Sequence, residues 1–239
     1  LETRLRLDIL PQPDDTTCGP TCLQAVYRFY GKDVPLEKVI AQVPHLEGGG
    51  TLAVYLACHA LRRGMSAIIY TYNLQVFDPT WFRPGVDIRT KLAAQVREKK
   101  NPKLRQASEA YTEFLDLGGE LRFQELDSAL IRKYLKQQKP ILTGLSATYL
   151  YRQAREYGPK NDHDDIRGEP SGHFVVLCGY DREERTVLVA DPYLPNPLAE
   201  GQYYEISIDR VRNAILLGVL TYDANLLIIE PEKERKREK

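Results

Sequence analysis

Hydrophobic and polar positions switch period several times along the chain, and each switch predicts an element. Residues 4 to 10 (Arg-Leu-Arg-Leu-Asp-Ile-Leu) alternate, as a strand with one buried face does. After a Pro-rich loop, Leu23, Val26, Tyr27 and Tyr30 recur at i, i+3, i+4 and i+7, predicting a helix with one apolar face that stops at Gly31. Further helices are expected over Leu36 to Val43, from a Thr51 cap to Arg63, over Asp87 to Lys100 and Lys103 to Leu117, over Leu126 to Gln138, and over Ala147 to Tyr157. Strands are expected at Met65 to Tyr72 and Ile141 to Leu145, then as a hairpin of Gly172 to Asp181 with Arg185 to Ala190. Tyr203 to Ile208 and Asn225 to Ile229 follow, with a short helix from Asp209 to Leu217 between them. Residues 73 to 85 carry Phe77, Trp81 and Phe82 without a period. They read as a loop pinned to the core by its aromatic rings, the other reading being a substrate cleft.

The pattern implies one α+β domain over residues 1–231, with a highly charged helical insertion around 73–119 and a mixed-charge, disordered tail over 232–239. Hydrophobic residues make up 43% of the 239, enough for a real core. Lys plus Arg and Asp plus Glu number 33 each, which gives no global case for nucleic acid or an anionic membrane as partner. No apolar run approaches the roughly 18 to 20 residues of a membrane helix. The first residues are no secretion signal, so the expected setting is cytoplasmic, although the absence of an initiator Met leaves upstream segments open.

Four cysteines are too few for a disulfide scaffold of this size. Cys18 and Cys22 are four apart, which is not the spacing of a redox or zinc pair, and no cofactor or metal is expected. Cys22, Cys58 and Cys178 read as packed thiols, His59 as a core or edge residue, and His45 and His163 as solvated loop residues. Asp162, His163, Asp164 and Asp165 are consecutive and do not converge as ligands, so they read as a solvated flank of an active site.

Cys18 differs from the other thiols. Gly19 and Pro20 follow it, Thr16 or Thr17 is placed to cap the helix, and Gly19 would let the backbone turn tightly beside the thiol. The positive end of a helix dipole favours thiolate there, and the thiolate is the nucleophile. A buried cysteine that merely starts a helix is the plain alternative. Nucleophilic catalysis also needs a base, a group to orient the base and donors for an oxyanion. His173 starts a strand, Asp191 ends its hairpin partner at the same edge, and Gln12 lies in the loop leading to Cys18. The Gln12 amide, with the backbone N–H of Cys18, could form an oxyanion hole.

Gln-x5-Cys-Gly-Pro-x-Cys-Leu, Gly-His-Phe-Val-Val and Asp-Pro-Tyr, in that order, resemble the papain-like cysteine peptidase superfamily. Within it they resemble the family typified by bacteriocin-processing domains, which cut after double-glycine leaders. The resemblance implies a papain-like α+β fold, with a helical N-terminal part carrying the cysteine packed on an antiparallel sheet carrying His and Asp. It implies Cys18 as nucleophile, His173 as base and acid, Asp191 as orienter, Gln12 in the oxyanion hole, and a peptide or protein as substrate. Thr17 stands where that family usually has Asp before the nucleophile, the 73–119 segment is longer, and no transporter segments follow. The rival readings are a peptide-binding module without turnover, a transpeptidase or transamidase using the same triad, and a redox or metal protein built on Cys18 and Cys22.

Overall fold

The computed structural model describes residues 2–46 and 49–232. The charged tail expected over 232–239 lies, from residue 233 on, outside the described residues. In chain order the elements are β1 (Thr3–Arg4), α1 (Cys18–Phe29), α2 (Leu36–Gln42), α3 (Ala53–Arg62), β2 (Met65–Thr71), α4 (Ile88–Glu98), α5 (Pro102–Asp116), β3 (Glu120–Arg122) and α6 (Ser128–Lys136). There follow β4 (Ile141–Ser146), α7 (Ala147–Tyr151), β5 (Glu156–Tyr157), β6 (Asp162–His163), β7 (Gly172–Asp181), β8 (Thr186–Ala190), β9 (Tyr203–Ser207), α8 (Ile208–Leu217) and β10 (Asn225–Pro231).

The main sheet runs β3-β2-β10-β4-β7-β8-β9, with β1 pairing on β7, and every pairing but β2 with β3 is antiparallel. The fold is α+β, with Cys18 at the start of the N-terminal helix and His173 on the sheet. Adjacent β2 side chains serve opposite faces, as the strand period requires. The Tyr70 hydroxyl pairs with Tyr134 of α6 at 2.8 Å, and Thr71 neighbours the Tyr111 hydroxyl of α5. β4, β7 and β8 are almost wholly buried, which is why they read as unbroken apolar runs.

α1 packs across β7 and β4 and is buried along every side from Cys18 to Tyr27, Thr21 and Gln24 included. The sequence predicted only a single apolar face. Two contacts set this docking. The Cys22 thiol donates to the Phe174 carbonyl at 3.3 Å. A Cβ on Gly19 would lie 2.6 Å from Thr51 Cγ2 and 3.2 Å from Phe174 Cδ2. Gly19 therefore serves close packing rather than the tight turn expected of it.

Four other expectations are corrected. Of residues 4 to 10 only Arg4 belongs to a paired strand, β1. Leu5, Leu7 and Ile9 are buried as the alternation required, but the Tyr203 hydroxyl straps the segment down, accepting from Ile9 N and donating to Leu7 O. Neither Thr16 nor Thr17 caps α1: the Thr16 side chain bonds the Asp14 carboxylate and that of Thr17 bonds the Asp14 carbonyl. Thr51 does not cap α3 but donates to Pro44 O at 2.8 Å. The helix expected through Tyr157 ends at Tyr151, where Arg152 turns left-handed (φ 55°), and residues 156–163 form the small β5–β6 sheet.

In the 73–119 segment Phe77 is buried and meets Tyr111 edge-on at 4.7 Å, with Trp81 and Phe82 around it. The aromatics thus pin this segment to α5, and α5 packs on α3. Among the described residues no helix is long and apolar enough to cross a membrane.

Gly19→Ala is expected to destabilise the fold by about 1–3 kcal/mol through overpacking against Thr51 and Phe174. A lowered urea midpoint with an unchanged slope checks it.

Candidate active site

The hairpin β7–β8 does what its period suggested. His173 is the second residue of β7, and Asp191 follows the end of β8. His173 Nε2 lies 2.8 Å from Asp191 Oδ1. The Cys18 thiol neighbours the imidazole closely enough to strengthen its hold on a proton. With Nε2 given to Asp191, Nδ1 is the nitrogen left for the thiol. The imidazole is boxed between two phenol rings, Tyr151 at 6.0 Å and Tyr193 at 6.1 Å between centroids.

Asp191 is fully buried, and a carboxylate there needs donors on every side. It has four. Oδ1 accepts from His173 Nε2 and from Tyr193 N (3.0 Å), and Oδ2 accepts from the Tyr151 and Tyr204 hydroxyls, both at 2.7 Å. Burial pushes its carboxyl up, but the charge and hydrogen bond of His173, with the bonds from Tyr193 and Tyr151, win and hold it below the usual range. For His173 burial acts downward, yet Asp191 and Cys18 outweigh it and raise the imidazolium to about 10. Burial and the neighbouring carboxylate push both tyrosine hydroxyls up, so they stay protonated donors.

Gln12 is held by its backbone, which donates to Pro192 O at 2.9 Å. One Nε2 hydrogen goes to Asp14 O at 2.8 Å, which leaves the other for a ligand. Its Oε1 is buried without a partner among the described residues. The first N–H groups of a helix have no intrahelical acceptor, so the Cys18 N–H is a second donor of the same kind. Gln12, Asp15, Tyr151, Glu156, His163 and His173 are among the residues lining a polar cleft of about 230 Å³. Cys18 does not line it and is 8% exposed. His163, expected in a polar flank, thus borders the cleft, while Asp164 spends its carboxylate on Arg167 and local backbone N–H groups. Among the described residues no cluster of three or more His, Cys, Asp or Glu could hold a metal ion.

The other thiols are engaged elsewhere. Burial drives Cys22 well up, and Cys58 and Cys178 to about 12. All four cysteines are free. His59 is a core residue between the Tyr27 hydroxyl (2.7 Å) and Gln42 Oε1 (3.1 Å), with burial and two arginines taking it down to about 4.

The sequence reading overlooked Tyr151, Tyr193 and Tyr204. Of these only Tyr193, in Asp-Pro-Tyr, stood in a motif; the other two become partners of Asp191 only through the sheet. It also missed Asp223, which is 5% exposed and lies against the strand carrying His173. A Cβ on Gly144 or Gly172 would come within 2.6 Å of an Asp223 carboxylate oxygen. Oδ2 accepts from the Thr221 hydroxyl, and Oδ1 is buried without a partner among the described residues. Burial raises this carboxyl to about 7 against the pull of Thr221, Lys103 and His173.

A family sequence model matches residues 4–213, and its description is the Peptidase_C39 like family. The chain belongs to this family. No curated protein matches the chain. Among solved structures it is similar to a double-glycine-motif protease from an AMS/PCAT transporter, solved with the leader peptide. The two share 16% identity over 96% of this chain and 94% of that one, with a TM-score of 0.46. The peptidase domain of Streptococcus ComA, a bifunctional ABC transporter in a quorum-sensing pathway, gives 12%, 95%, 100% and 0.44. Xylellain, a cysteine protease from Xylella fastidiosa, gives 16%, 97%, 86% and 0.44. The family assignment rests on the sequence match alone, which takes in Gln12, Cys18, His173 and Asp191.

Tyr204→Phe leaves Asp191 Oδ2 one donor short and is expected to cost about 1–3 kcal/mol, read by urea denaturation. Asp223 takes up its proton more tightly when folded than an unfolded carboxyl near 3.9. The stability carried by its protonated form is therefore present at acid pH and lost as pH rises from about 4 through about 7. Asp223→Asn should melt higher than the parent at pH 8.5, and the gap should close towards pH 5.

Proposed function

We propose that the chain is a cysteine peptidase that cleaves a peptide bond through an acyl-enzyme on Cys18. The Cys18 sulfur, its proton given to His173, attacks the scissile carbonyl carbon, and the carbonyl oxygen takes the negative charge. The free Gln12 amide hydrogen and the Cys18 N–H are the donors for that oxyanion. The tetrahedral adduct collapses, the C–N bond breaks, and the imidazolium of His173 gives its proton to the leaving amine. Water, deprotonated by His173, then attacks the thioester and releases the acid. Asp191 fixes which nitrogen faces the sulfur and stabilises the imidazolium, as the orienting acid does in serine and cysteine triads.

The observation that carries this reading is the imidazole of His173, which neighbours the Cys18 thiol and is hydrogen-bonded to a buried carboxylate that accepts from four donors. Membership of a peptidase-like family supports the reaction class. The redox reading finds less support, because the Cys22 thiol is committed to Phe174 O and pushed up by burial.

Two measurements test it. Iodoacetamide labelling at pH 7, mapped by mass spectrometry, is expected to modify Cys18 well ahead of the other three cysteines, and His173→Ala should remove that lead. Cleavage of a peptide library should be lost with Cys18→Ala and fall by about 10²–10⁴ with His173→Ala. Because His173 works as an acid, cleavage should decline as pH rises through about 10. Asp191→Asn should bring that limb down, since burial then acts on the imidazolium with only Cys18 to oppose it. A Cys18 that labels no faster than the other cysteines, together with no cleavage, would sink the enzyme reading in favour of a peptide-binding module.

A further inference from the structure

One stretch of chain beside the cleft is bonded to itself and not to the body. Between α7 and β7 the backbone makes an excursion over residues 155–169 that carries the two-stranded sheet β5–β6. Its neck is closed by Glu156 N donating to Glu169 O at 3.0 Å and Glu169 N donating to Glu156 O at 2.8 Å. Inside, Asp164 N donates to Arg155 O at 2.8 Å, and Gly168 N donates to Asp164 O at 3.0 Å. The Arg155 guanidinium donates to Asp165 O at 2.7 Å. The Asp164 carboxylate accepts from the Ile166 and Arg167 amides and pairs with the Arg167 guanidinium, which lies 4.3 Å from the centre of the Tyr157 ring. Gly168 is the one buried residue in the range, and the atoms a Cβ there would meet first belong to Asp164 and Arg155.

Among the described residues no hydrogen bond, ion pair or ring contact joins residues 155–169 to the rest of the molecule, and none of them belongs to the hydrophobic core or packs on it. Tyr157 and Ile166 are instead 45% and 80% exposed. Both legs of the excursion are pinned at one residue. Thr148 O accepts from Gln153 N at 3.3 Å, and the Thr148 hydroxyl accepts from Ser171 N at 3.0 Å. Between these pins and the neck, Ala154 on one leg and Pro170 on the other have no hydrogen bond among the described residues. A unit whose bonds are internal and which buries little apolar surface against its surroundings is displaced at small free-energy cost, and as one piece.

The excursion also forms one wall of the cleft. Glu156, Lys160, Asn161 and His163 line it together with Gln12 and His173. The side chains of these four excursion residues have no protein partner among the described residues. A polypeptide backbone brings both donors and acceptors to such groups. A ligand shifts an equilibrium between two positions only if it gains contacts in one of them, and a chain lying in the cleft gains these four.

We propose that residues 155–169 are a lid, which swings as one body about Ala154 and Pro170 and closes over the cleft when a peptide chain lies against His173. Closure removes water from around the reacting carbonyl, where the donors of Gln12 and Cys18 then act more strongly. The occupant rests on the peptidase reading, but the movement is measured without it.

The movement is read from nitroxides carried on p-acetylphenylalanine in place of Ile166 on the lid and Leu216 on α8, both exposed and outside the cleft, by a coupling chemistry that spares cysteines. Cys18 is alkylated either with iodoacetamide or with an N-iodoacetyl Gly-Ser decapeptide, which tethers a chain in the cleft. The distribution of distances between positions 166 and 216 is expected to narrow and shift with the tethered peptide and not with iodoacetamide. The same distribution in both overturns the proposal. In a second variant residues 157–168 are replaced by Asn-Gly, a two-residue turn that suits the antiparallel Glu156–Glu169 pair. Because the excursion adds nothing to the core, the urea midpoint and the labelling lead of Cys18 should match the parent, while cleavage of the peptide library falls about 10–10²-fold. Unchanged cleavage overturns the lid. So does a clear fall in the midpoint, which would make the segment part of the frame. If the parent cleaves no peptide while the distance shift is present, the peptidase reading fails and the lid stands.

Discussion

The site hangs on the burial of one charge. Asp191 has no solvent contact, and an ionised carboxylate in that position costs several kcal/mol unless its lone pairs are met. Its donors come from β7, α7, β9 and its own loop. Each must arrive within hydrogen-bond distance at the same moment, so the register of three strands and the end of one short helix are fixed together. The left-handed turn at Arg152 that stops α7 after Tyr151 and the approach of Gly172 to Asp223 surround the same point. The proposed base is therefore oriented by the sheet as a whole rather than by a single neighbour.

Much of this was legible in the sequence, for a physical reason. The β7–β8 hairpin is local, its strands are buried runs joined by a short polar loop, and a hairpin necessarily sets the start of one strand near the end of the next. His173 and Asp191 could be paired on that basis, and Cys18 and Gln12 could be set in a loop entering a helix. The tyrosines could not be found in this way. Tyr204 alternates on β9 like any inward residue, and Tyr151 lay in a segment whose pattern suggested a longer helix. Their role appears only when β8–β9 pairing and the packing of α7 bring both hydroxyls to one oxygen. β3 is three residues long and parallel, too short to show a period. Thr16, Thr17 and Thr51 had the right chemistry for caps, but nearer acceptors on Asp14 and Pro44 claimed their hydroxyls.

Cys18 to Cys22 carry two tasks within one and a half turns of helix. Cys18 faces the imidazole, while Gly19 and Cys22 hold the helix against Phe174, the residue after His173. The short motif thus sets both the proposed nucleophile and its distance from its partner. This explains why a glycine and a second thiol accompany the first without joining its chemistry.

The place of β10 in the sheet has a consequence for how the molecule is made. It is the last of the described strands, yet it lies between β2 and β4, pairing with β2 along its whole length and with β4 over Asn225–Ile228. On a ribosome, β2 must wait for it with an open edge while everything between them is synthesised, and Met65 meets Pro231 only once residue 231 has emerged. Such non-local closure slows folding and leaves intermediates prone to association. The same delay postpones full assembly of the sheet that carries His173, so a nascent chain long enough to contain Cys18, His173 and Asp191 would still lack the finished frame around them.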